Sequence, residues 1–214
     1  SAGDEIIITI AEHHANIVPW QLIAQQKGAK IIAAQVNPEE DFDAEIIKKL
    51  VTDKTKIIAF PHVSNVLGTV FPVKELCKIA KECGAISVVD GCQGIIHGTV
   101  DVKKLGCDFY CFSGHKLYGP TGIGVLYGKY EILEEMPPFL GGGDMIDIVK
   151  INQSTYADPP LRFEAGTPPI VEAIALGEAI DWVVEAGIDR IGKHEKNVIS
   201  YGMSVLNSIE GINI

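Results

Sequence analysis

Short apolar runs that alternate with helical patterns constrain the fold of this chain more than any other feature of its sequence. These runs are too continuously apolar for strands with one face in water, so we expect both faces of each strand to be covered. The six predicted strands are Glu5 to Ile10, Ala29 to Val36, Thr55 to Phe60, Ala85 to Asp90, Asp108 to Ser113 and Gly122 to Tyr127.

Helical patterns lie between several of these runs. Two of them, Pro19 to Gly28 and Pro72 to Gly84, begin with proline and end at glycine, as helices often do. One stripe of the second pattern is apolar and consists of Val73, Leu76, Cys77, Ile79 and Ala80. Strands that alternate with helices predict a three-layer α/β/α fold with a mostly parallel sheet.

The alternation of predicted strands and helices ends at Pro169. Two longer helices are predicted there, over Ile170 to Ala186 and Ile188 to Ile209, and the final "GINI" resembles the start of another strand. The segment from Glu134 to Ile146, which contains three consecutive glycines, is predicted to be a loop.

Bulk composition narrows the possible functions. A chain of 214 residues that is 47% hydrophobic and 21% charged suits one large globular domain. A net charge of −10 argues against a nucleic acid or an anionic membrane as a partner, because the overall field repels polyanions. No apolar run reaches the roughly eighteen residues of a spanning helix, and no signal-peptide pattern opens the chain, so a cytoplasmic location is expected.

The five cysteines predict neither disulfides nor a metal site. Their number is odd and no CxxC pair occurs. The spacing of Cys107 and Cys111 comes nearest to that of metal ligands, but their segment, "CDFYCF", is predicted to be a strand entering the core, and both are expected to be small buried hydrophobes. Cys92 is interpreted as a structural thiol rather than a nucleophile.

Unusual polar residues follow four of the predicted strands. They are His13 and His14; His62, Ser64 and Asn65; Asp90 and Gln93; and Ser113, His115 and Lys116. Because ligands of open α/β sheets bind beyond the carboxyl ends of the strands, these side chains should converge on one pocket if the strands are parallel.

This set of residues matches the needs of pyridoxal 5'-phosphate. The aldehyde of that cofactor needs a lysine amine, its ring nitrogen a carboxylate, and its phosphate hydroxyl, imidazole and backbone donors. We expect Lys116 to be buried, since burial favours the neutral, nucleophilic amine. The following "GPTGIG" could be a phosphate-binding loop, but it lacks the Walker lysine placement and a following helix, so turn geometry around the lysine explains it better.

Six segments together resemble one enzyme family. They are "EHHANIVPW", "HVSNVLG", "VDGCQG", "DFYCFSGHKLYGPTGIGVLYGK", "GGGDMI" and "RFEAGTP", and they occur in order over nearly the whole chain. The chain thereby resembles the group II cysteine desulfurases and selenocysteine lyases, in the class V aminotransferase branch of the fold-type I pyridoxal-phosphate enzymes. The resemblance implies the large domain of an aspartate aminotransferase-like transferase.

The resemblance also implies roles for five residues around the cofactor. Lys116 would be the Schiff-base lysine and Asp90 the partner of the pyridinium nitrogen. Gln93 would face the phenolic oxygen, while Ser113 and His115 would bind the phosphate.

Three further roles follow from the same resemblance. His13 would stack on the cofactor ring and shuttle protons, and Asn65 would hold a cofactor oxygen or the substrate carboxylate. Thr167 would reach the phosphate of a neighbouring subunit, which implies a homodimer. His14 and His62 are expected to support the site rather than to form it, because adjacent strand residues point in opposite directions.

The family pattern extends beyond both ends of this sequence. In the family, a phosphate-binding segment precedes the first strand, and a C-terminal small domain carries the persulfide-forming cysteine and substrate-binding arginines. We therefore expect a large domain truncated at both ends, with residues 1–169 binding the cofactor and residues 170–214 leading toward the small domain. Apolar surface exposed by truncation should cause self-association.

The implied function is a pyridoxal-phosphate-dependent cysteine desulfurase. Such an enzyme converts L-cysteine to L-alanine and an enzyme persulfide, whose sulfur passes to an acceptor protein for iron–sulfur cluster assembly. L-selenocysteine is the alternative substrate, and another class V enzyme, such as an aminotransferase or a kynureninase-like hydrolase, is a further alternative. The chain alone is expected to be inactive, so a non-catalytic cofactor-binding fragment is the remaining possibility.

Overall fold

Eight strands form two separate sheets in the computed structural model, which describes residues 1–37 and 39–212. The strands are β1 (Glu5–Thr9), β2 (Lys30–Ala34), β3 (Thr55–Pro61), β4 (Ile86–Asp90), β5 (Phe109–Ser113), β6 (Gly124–Gly128), β7 (Ile146–Lys150) and β8 (Gln153–Tyr156). The main sheet has the order β2-β1-β3-β4-β5-β6, and β7 and β8 form an antiparallel hairpin. The first five strands of the main sheet are parallel and β6 is antiparallel to β5, so the prediction of a mostly parallel sheet is confirmed.

Helices connect the strands and follow them. They are α1 (Val18–Lys27), α2 (Glu45–Leu50), α3 (Val73–Cys83), α4 (Gly94–His97), α5 (Val102–Leu105), α6 (Tyr130–Glu135), α7 (Ile170–Ala186) and α8 (Ile188–Asn207). Sequence patterns identified α1, α3, α7 and α8. They missed the other four, each of which has six residues or fewer, too few for a helical period to be recognised.

The main sheet is covered on both faces. Ile7 of β1 packs into a cluster that includes Leu76 of α3, whereas its neighbours Ile6 and Ile8 pack on the opposite face with Trp20 of α1. This alternation follows from the two-residue period of a strand. The three-layer α/β/α prediction is therefore confirmed.

The edge strand β6 is less covered than its apolar sequence predicts. Val125 is 41% exposed and Leu126 is 62% exposed, whereas Ile58 in the centre of the sheet is fully buried. The expectation that all six strands are covered on both faces is wrong here: β6 lies at the edge of the sheet, where little of the described chain packs over its side chains.

The helices α3 and α8 differ in how much of their apolar surface they bury. In α3 the predicted stripe and the buried residues coincide. In α8, Ile188 and Ile191 pack near Ile96 and Val183, while Val198 further along the helix is 54% exposed. The remaining apolar face of α8 has little cover among the described residues.

The segment that precedes the hairpin contains no regular structure between α6 and β7, as predicted. The hairpin itself was not predicted. The last two residues of "GINI" lie outside the described residues, so the strand predicted there has no counterpart to compare. Within the described part of the chain, no helix has the length and apolar character needed to span a membrane.

Candidate active site

A cavity of about 410 Å³ opens where the parallel strands β3, β4 and β5 end. It is lined by His13, Ala15, Pro61, Val63, Asn65, Asp90, Cys92, Gln93, Ser113, His115 and Lys116. Seven of the eight site residues predicted from the sequence therefore line one cavity. Parallel strands produce this convergence, because their carboxyl ends lie at the same edge of the sheet.

Asp90 is the last residue of β4 and turns the chain into the cavity. Its Oδ1 accepts a hydrogen bond from the backbone N–H of Cys92 at 2.9 Å, and its carbonyl oxygen accepts one from the N–H of His62 at 2.8 Å. The carboxyl group is thus oriented by the turn that follows it. Asp90 combines the usual turn role of an aspartate after a strand with a position in the cavity wall.

Two glycines let aromatic rings pack directly beneath this turn. A methyl group on Gly91 would lie 2.0 Å from Cε1 of Tyr110, and one on Gly94 would lie 2.4 Å from Nδ1 of His62. The ring of His62 in turn hydrogen-bonds the hydroxyl of Tyr110 across 2.9 Å. The turn from Asp90 to Gly94 is consequently held from below, where any side chain larger than hydrogen would displace it.

His62 supports the site without lining the cavity, as predicted. Its ring is half-buried, and burial lowers its pKa. His14 likewise is not among the lining residues, whereas His13 is. The structure places His13 rather than His14 at the cavity, and the role assigned to His13 stays a prediction.

Lys116 lies on a single 3-10 turn, Gly114–Leu117, directly after β5. The next residue, Leu117, is buried with Ile96 and Val183. Tyr118 packs edge-on against Trp182, with 5.4 Å between ring centroids. These contacts anchor the turn on one side and leave the lysine at the cavity on the other.

Glycines around the lysine permit close backbone approach. A methyl group on Gly119 would lie 2.7 Å from Cδ1 of Leu176, and one on Gly124 would lie 2.8 Å from the carbonyl oxygen of Phe112. The N–H of Gly119 also donates to the carbonyl of Gly114 at 3.0 Å. The "GPTGIG" segment runs into β6 rather than into a helix, so the interpretation as turn geometry is confirmed.

The prediction that Lys116 is buried is wrong. Its side chain is exposed, as is that of His115. The cause is the 3-10 turn, which carries both residues out of the sheet beyond the end of β5. In this structure, position at the cavity rather than burial is what distinguishes Lys116.

His13 caps a second 3-10 turn, His14–Asn16, which follows β1. Its Nδ1 accepts a hydrogen bond from the backbone N–H of Ala15 at 3.1 Å. A nitrogen that accepts carries no proton, so the neutral ring carries its proton on Nε2.

Asn65 is brought to the cavity by a loop that Ser64 ties to the end of β1. The Ser64 hydroxyl is 3% exposed and donates to the carbonyl oxygen of Ala11 at 3.0 Å. Its Oγ also accepts from the N–H groups of Val66 and Leu67, each at 3.3 Å. Ser64 therefore fixes the loop on which Asn65 is exposed.

A buried carboxyl that the sequence did not indicate lies directly before His13 in the chain. Glu12 is 5% exposed and accepts hydrogen bonds from Thr9 Oγ1 at 2.6 Å and from Asn16 Nδ2 at 2.7 Å. Burial raises the pKa of Glu12 to about 7; the hydrogen bonds from Thr9 and Asn16 oppose the rise, and the charge of Asp90 adds to it. A glutamate before a histidine pair carries no sequence signal of burial, because glutamate is mostly exposed.

The cysteines match the sequence prediction only in part, because Cys111 is only partly buried and Cys107 lies just before β5 rather than within it. Cys107 is fully buried, and burial raises the pKa of Cys111 to about 12. Cys92 lines the cavity with its Sγ 3.9 Å from the Oγ of Ser113, and burial raises its pKa as well, which favours the thiol. No group of three or more potential metal ligands occurs among the described residues.

Thr167 is the one predicted site residue that does not line the cavity. It is exposed in the loop before α7. A residue predicted to contact a neighbouring subunit need not line its own cavity, and its role stays a prediction.

The donor set of the cavity fits pyridoxal phosphate. An amine, a carboxylate, a side-chain amide, a hydroxyl and imidazoles lie around one space, and its volume falls in the usual range of about 300–1,000 Å³ for small-molecule sites. Lys116, Asp90, Gln93, Ser113 and His115 are the residues that could hold the cofactor.

Comparisons with known proteins agree with this fit. The family model for aminotransferase class-V matches residues 1–214. A probable cysteine desulfurase of Halalkalibacterium halodurans is 50% identical over 99% of this chain and 52% of the relative. The chain thus spans about half the length of that relative.

Solved structures show the same fold. The apo cysteine desulfurase of Thermococcus onnurineus NA1 matches 97% of this chain and 52% of its own, with a TM-score of 0.92 and 41% identity. A mutant of C-DES, solved with glycine covalently linked to its PLP cofactor, matches 98% of this chain and 57% of its own, with a TM-score of 0.87 and 25% identity. The chain belongs to the class-V aminotransferase family.

Proposed function

We propose that this chain supplies the pyridoxal-phosphate site of a cysteine desulfurase. The single observation that carries the proposal is the convergence of Lys116, Asp90, Gln93, Ser113 and His115 on one cavity. When bound, pyridoxal phosphate supplies an electron sink for the breaking of bonds at the substrate α-carbon.

Each of these residues has a chemical task in the proposal. The Lys116 amine attaches the cofactor through its aldehyde, and the Asp90 carboxylate pairs with the ring nitrogen. Gln93 binds the phenolic oxygen. Ser113 and His115 bind the phosphate, since hydroxyl and imidazole groups donate well to anionic oxygens. The hydrogen bond from the Cys92 N–H orients the Asp90 carboxyl for its task.

His13 and Asn65 act on the open side of the cavity. The His13 ring would stack on the cofactor, and because its Nδ1 accepts from the Ala15 N–H, the neutral ring can donate a hydrogen bond only from Nε2. Asn65 holds a cofactor oxygen or the substrate carboxylate.

The substrate assignment rests on the named relatives. A relative at 50% identity is described as a probable cysteine desulfurase, so we assign L-cysteine as the substrate, with L-alanine and sulfur for an acceptor protein in iron–sulfur cluster assembly as products. L-selenocysteine is the alternative substrate. We also propose a homodimer in which Thr167, exposed in the loop before α7, reaches the partner's phosphate. We further propose that residues 1–169 form the cofactor domain and that α7 and α8, which pack against its lysine turn and α4, lead toward a small domain.

A second candidate is a domain that binds the cofactor without turning cysteine over. Cys92 is the cysteine that lines the cavity within the described residues, and burial raises its pKa, so it is poorly suited to attack sulfur as a thiolate. This observation favours cofactor binding without desulfuration by this chain alone.

Covalent trapping tests the proposal. The chain is mixed with pyridoxal phosphate, reduced with borohydride and digested, and mass spectrometry should locate the phosphopyridoxyl group on Lys116. Lys103→Ala, which removes an exposed lysine of α5, is the matched control and should label like the wild type. Labelling that persists in Lys116→Ala would refute the assignment. Alanine formation from L-cysteine then separates the desulfurase from the binding domain.

A further inference from the structure

The Glu12 side chain lies directly before His13 and is almost completely buried, at 5% exposure. It is not among the residues that line the cavity. The proposed function therefore assigns it no contact with cofactor or substrate, although a buried carboxyl group is costly unless its hydrogen bonds are made.

Both carboxyl oxygens of Glu12 accept hydrogen bonds. Oε1 accepts from the hydroxyl of Thr9 at 2.6 Å and from the Thr9 backbone N–H at 3.4 Å. Oε2 accepts from Nδ2 of Asn16 at 2.7 Å, and Oδ1 of Asn16 accepts from Nε1 of Trp20 at 2.9 Å. The carboxyl group thus joins the end of β1 to the start of α1.

The direction of this chain of hydrogen bonds is fixed at both ends. An indole N–H and a backbone N–H can only donate. Trp20 therefore requires the oxygen of the Asn16 amide, which turns the Asn16 nitrogen toward Glu12. Glu12 must then accept from Asn16 on one side and from Thr9 on the other.

These hydrogen bonds enclose the turn that carries His13. It spans Glu12 to Asn16, and the Glu12 carboxyl connects its last residue to Thr9 of β1. Within it, the His13 ring is oriented by the Ala15 N–H. A shift of Asn16 would move the Ala15 N–H and with it the imidazole.

We propose that Glu12 is a positioning residue whose buried carboxyl group, through Thr9 and Asn16, holds the His13 imidazole at the cavity in its Nε2-protonated form. The consequence for cofactor affinity rests on the proposed function. The consequence for the His13 ring does not.

Glu12→Gln keeps the size of the side chain and breaks the donor–acceptor order of the hydrogen bonds from Thr9 to Trp20. A glutamine that accepts from Thr9 turns its nitrogen toward the nitrogen of Asn16, so two donors face each other. The double variant Glu12→Gln/Asn16→Asp restores it, because the aspartate accepts from both Trp20 and the glutamine nitrogen. Glu75→Gln, on the exposed side of α3, is the matched control.

The test measures two properties of each variant at pH 8, above the raised pKa of Glu12. The ¹⁵N chemical shifts of the His13 ring, assigned with His13→Gln, report its tautomer without any cofactor. Titration with pyridoxal phosphate gives its dissociation constant. In Glu12→Gln we expect the Nδ1 shift to move toward that of a tautomer mixture and the dissociation constant to rise about tenfold.

The double variant and the control should both match the wild type. Wild-type His13 shifts in Glu12→Gln, or a loss in the single variant that the double variant does not recover, would overturn the proposal. Trp20→Phe removes the N–H that donates to Asn16 and should move the same His13 shifts by less. This variant replaces Glu12→Gln if Glu12→Gln does not fold. Unchanged His13 shifts in Trp20→Phe would also overturn the proposal. If the His13 shifts respond as expected but the wild type binds no pyridoxal phosphate, the proposed function fails and the positioning role stands.

Discussion

The parallel sheet and the two long C-terminal helices are both rich in apolar side chains, but they bury them very differently. Most of the buried apolar residues lie between Ile6 and Leu117; those described beyond Leu117 are Met145, Leu176 and Val183. Exposed apolar residues such as Val171 and Tyr201, by contrast, continue along α7 and α8. The apolar side chains of the sheet are mostly buried within the domain, whereas many of those on α7 and α8 are exposed to solvent.

The total accessible surface is large for a chain of this mass. It is 13599 Å², compared with about 9,700 Å² for a compact monomer of this mass. An apolar stripe in a sequence therefore predicts which face of a helix can be buried, but not what covers it. The cavity lies in the well-covered region, where its residues have fixed surroundings.

The largest stability effect should come from the centre of the sheet. Ile58→Ala removes a fully buried side chain from β3 and should lower the free energy of unfolding by about 2–5 kcal/mol. Val171→Ala in α7, where the side chain is 74% exposed, should change it by less than about 0.5 kcal/mol. Urea denaturation measures both. Equal losses in the two variants would contradict the comparison.

Two glycine substitutions should have opposite signs. Gly91→Ala places a methyl group 2.0 Å from the Tyr110 ring and should destabilise the chain by about 1–3 kcal/mol or more. Gly177→Ala in α7 meets no atom within 4 Å and should stabilise the helix by up to about 1 kcal/mol. Thermal unfolding followed by circular dichroism distinguishes them. A Gly91→Ala variant as stable as the wild type would disprove the close packing of the turn on Tyr110.

Glu12 should make stability depend on pH. Its folded-state pKa of about 7 lies above the usual 4.5 of the unfolded chain, so the folded state binds the proton more tightly. The contribution of Glu12 is then fully present below pH 4.5 and is lost as the pH rises toward 7, by about 1–3 kcal/mol. His62, with its lowered pKa, opposes this trend up to pH 6.5.

Urea unfolding at pH 5 and pH 8 isolates the Glu12 contribution when the wild type is compared with Glu12→Gln. The wild type should lose more stability than the variant between these two pH values. Identical pH dependence in both proteins would show that Glu12 does not titrate as its burial predicts.

The smallest stability effect should accompany a change in association. Val184→Lys, at a position that is 73% exposed, should leave the free energy of unfolding within about 0.5 kcal/mol of the wild type. It should nevertheless reduce self-association measured by light scattering, because it places a charge on the apolar face of α7. A wild-type chain that stays a monodisperse monomer at high concentration would contradict this expectation.

The sequence predicted those parts of the fold whose pattern repeats. The apolar runs located all six strands of the main sheet, and the spacing from Val73 to Ala80 gave the buried face of α3. The position of the cavity followed from the rule that parallel strands end at one edge. Exposure of Leu126 in β6 could not be predicted, because an apolar run does not reveal whether other elements cover both faces of the strand.

The contacts that support the site needed the structure. The packing of Tyr110 beneath Gly91, and the link from Glu12 to Trp20, join residues whose side chains carry no motif of their own. The exposure of Lys116 was also not predicted, since the turn after β5 has no helical or strand period to indicate its direction.

An absorbance spectrum tests the central claim, that the residues at the strand ends form a pyridoxal-phosphate site, most directly. The chain is mixed with the cofactor, freed of excess by gel filtration and measured beside Lys116→Ala and Lys103→Ala. The account predicts a visible band of bound cofactor in the wild type and in Lys103→Ala, and no such band in Lys116→Ala. The same band in all three proteins, or in none of them, would contradict it.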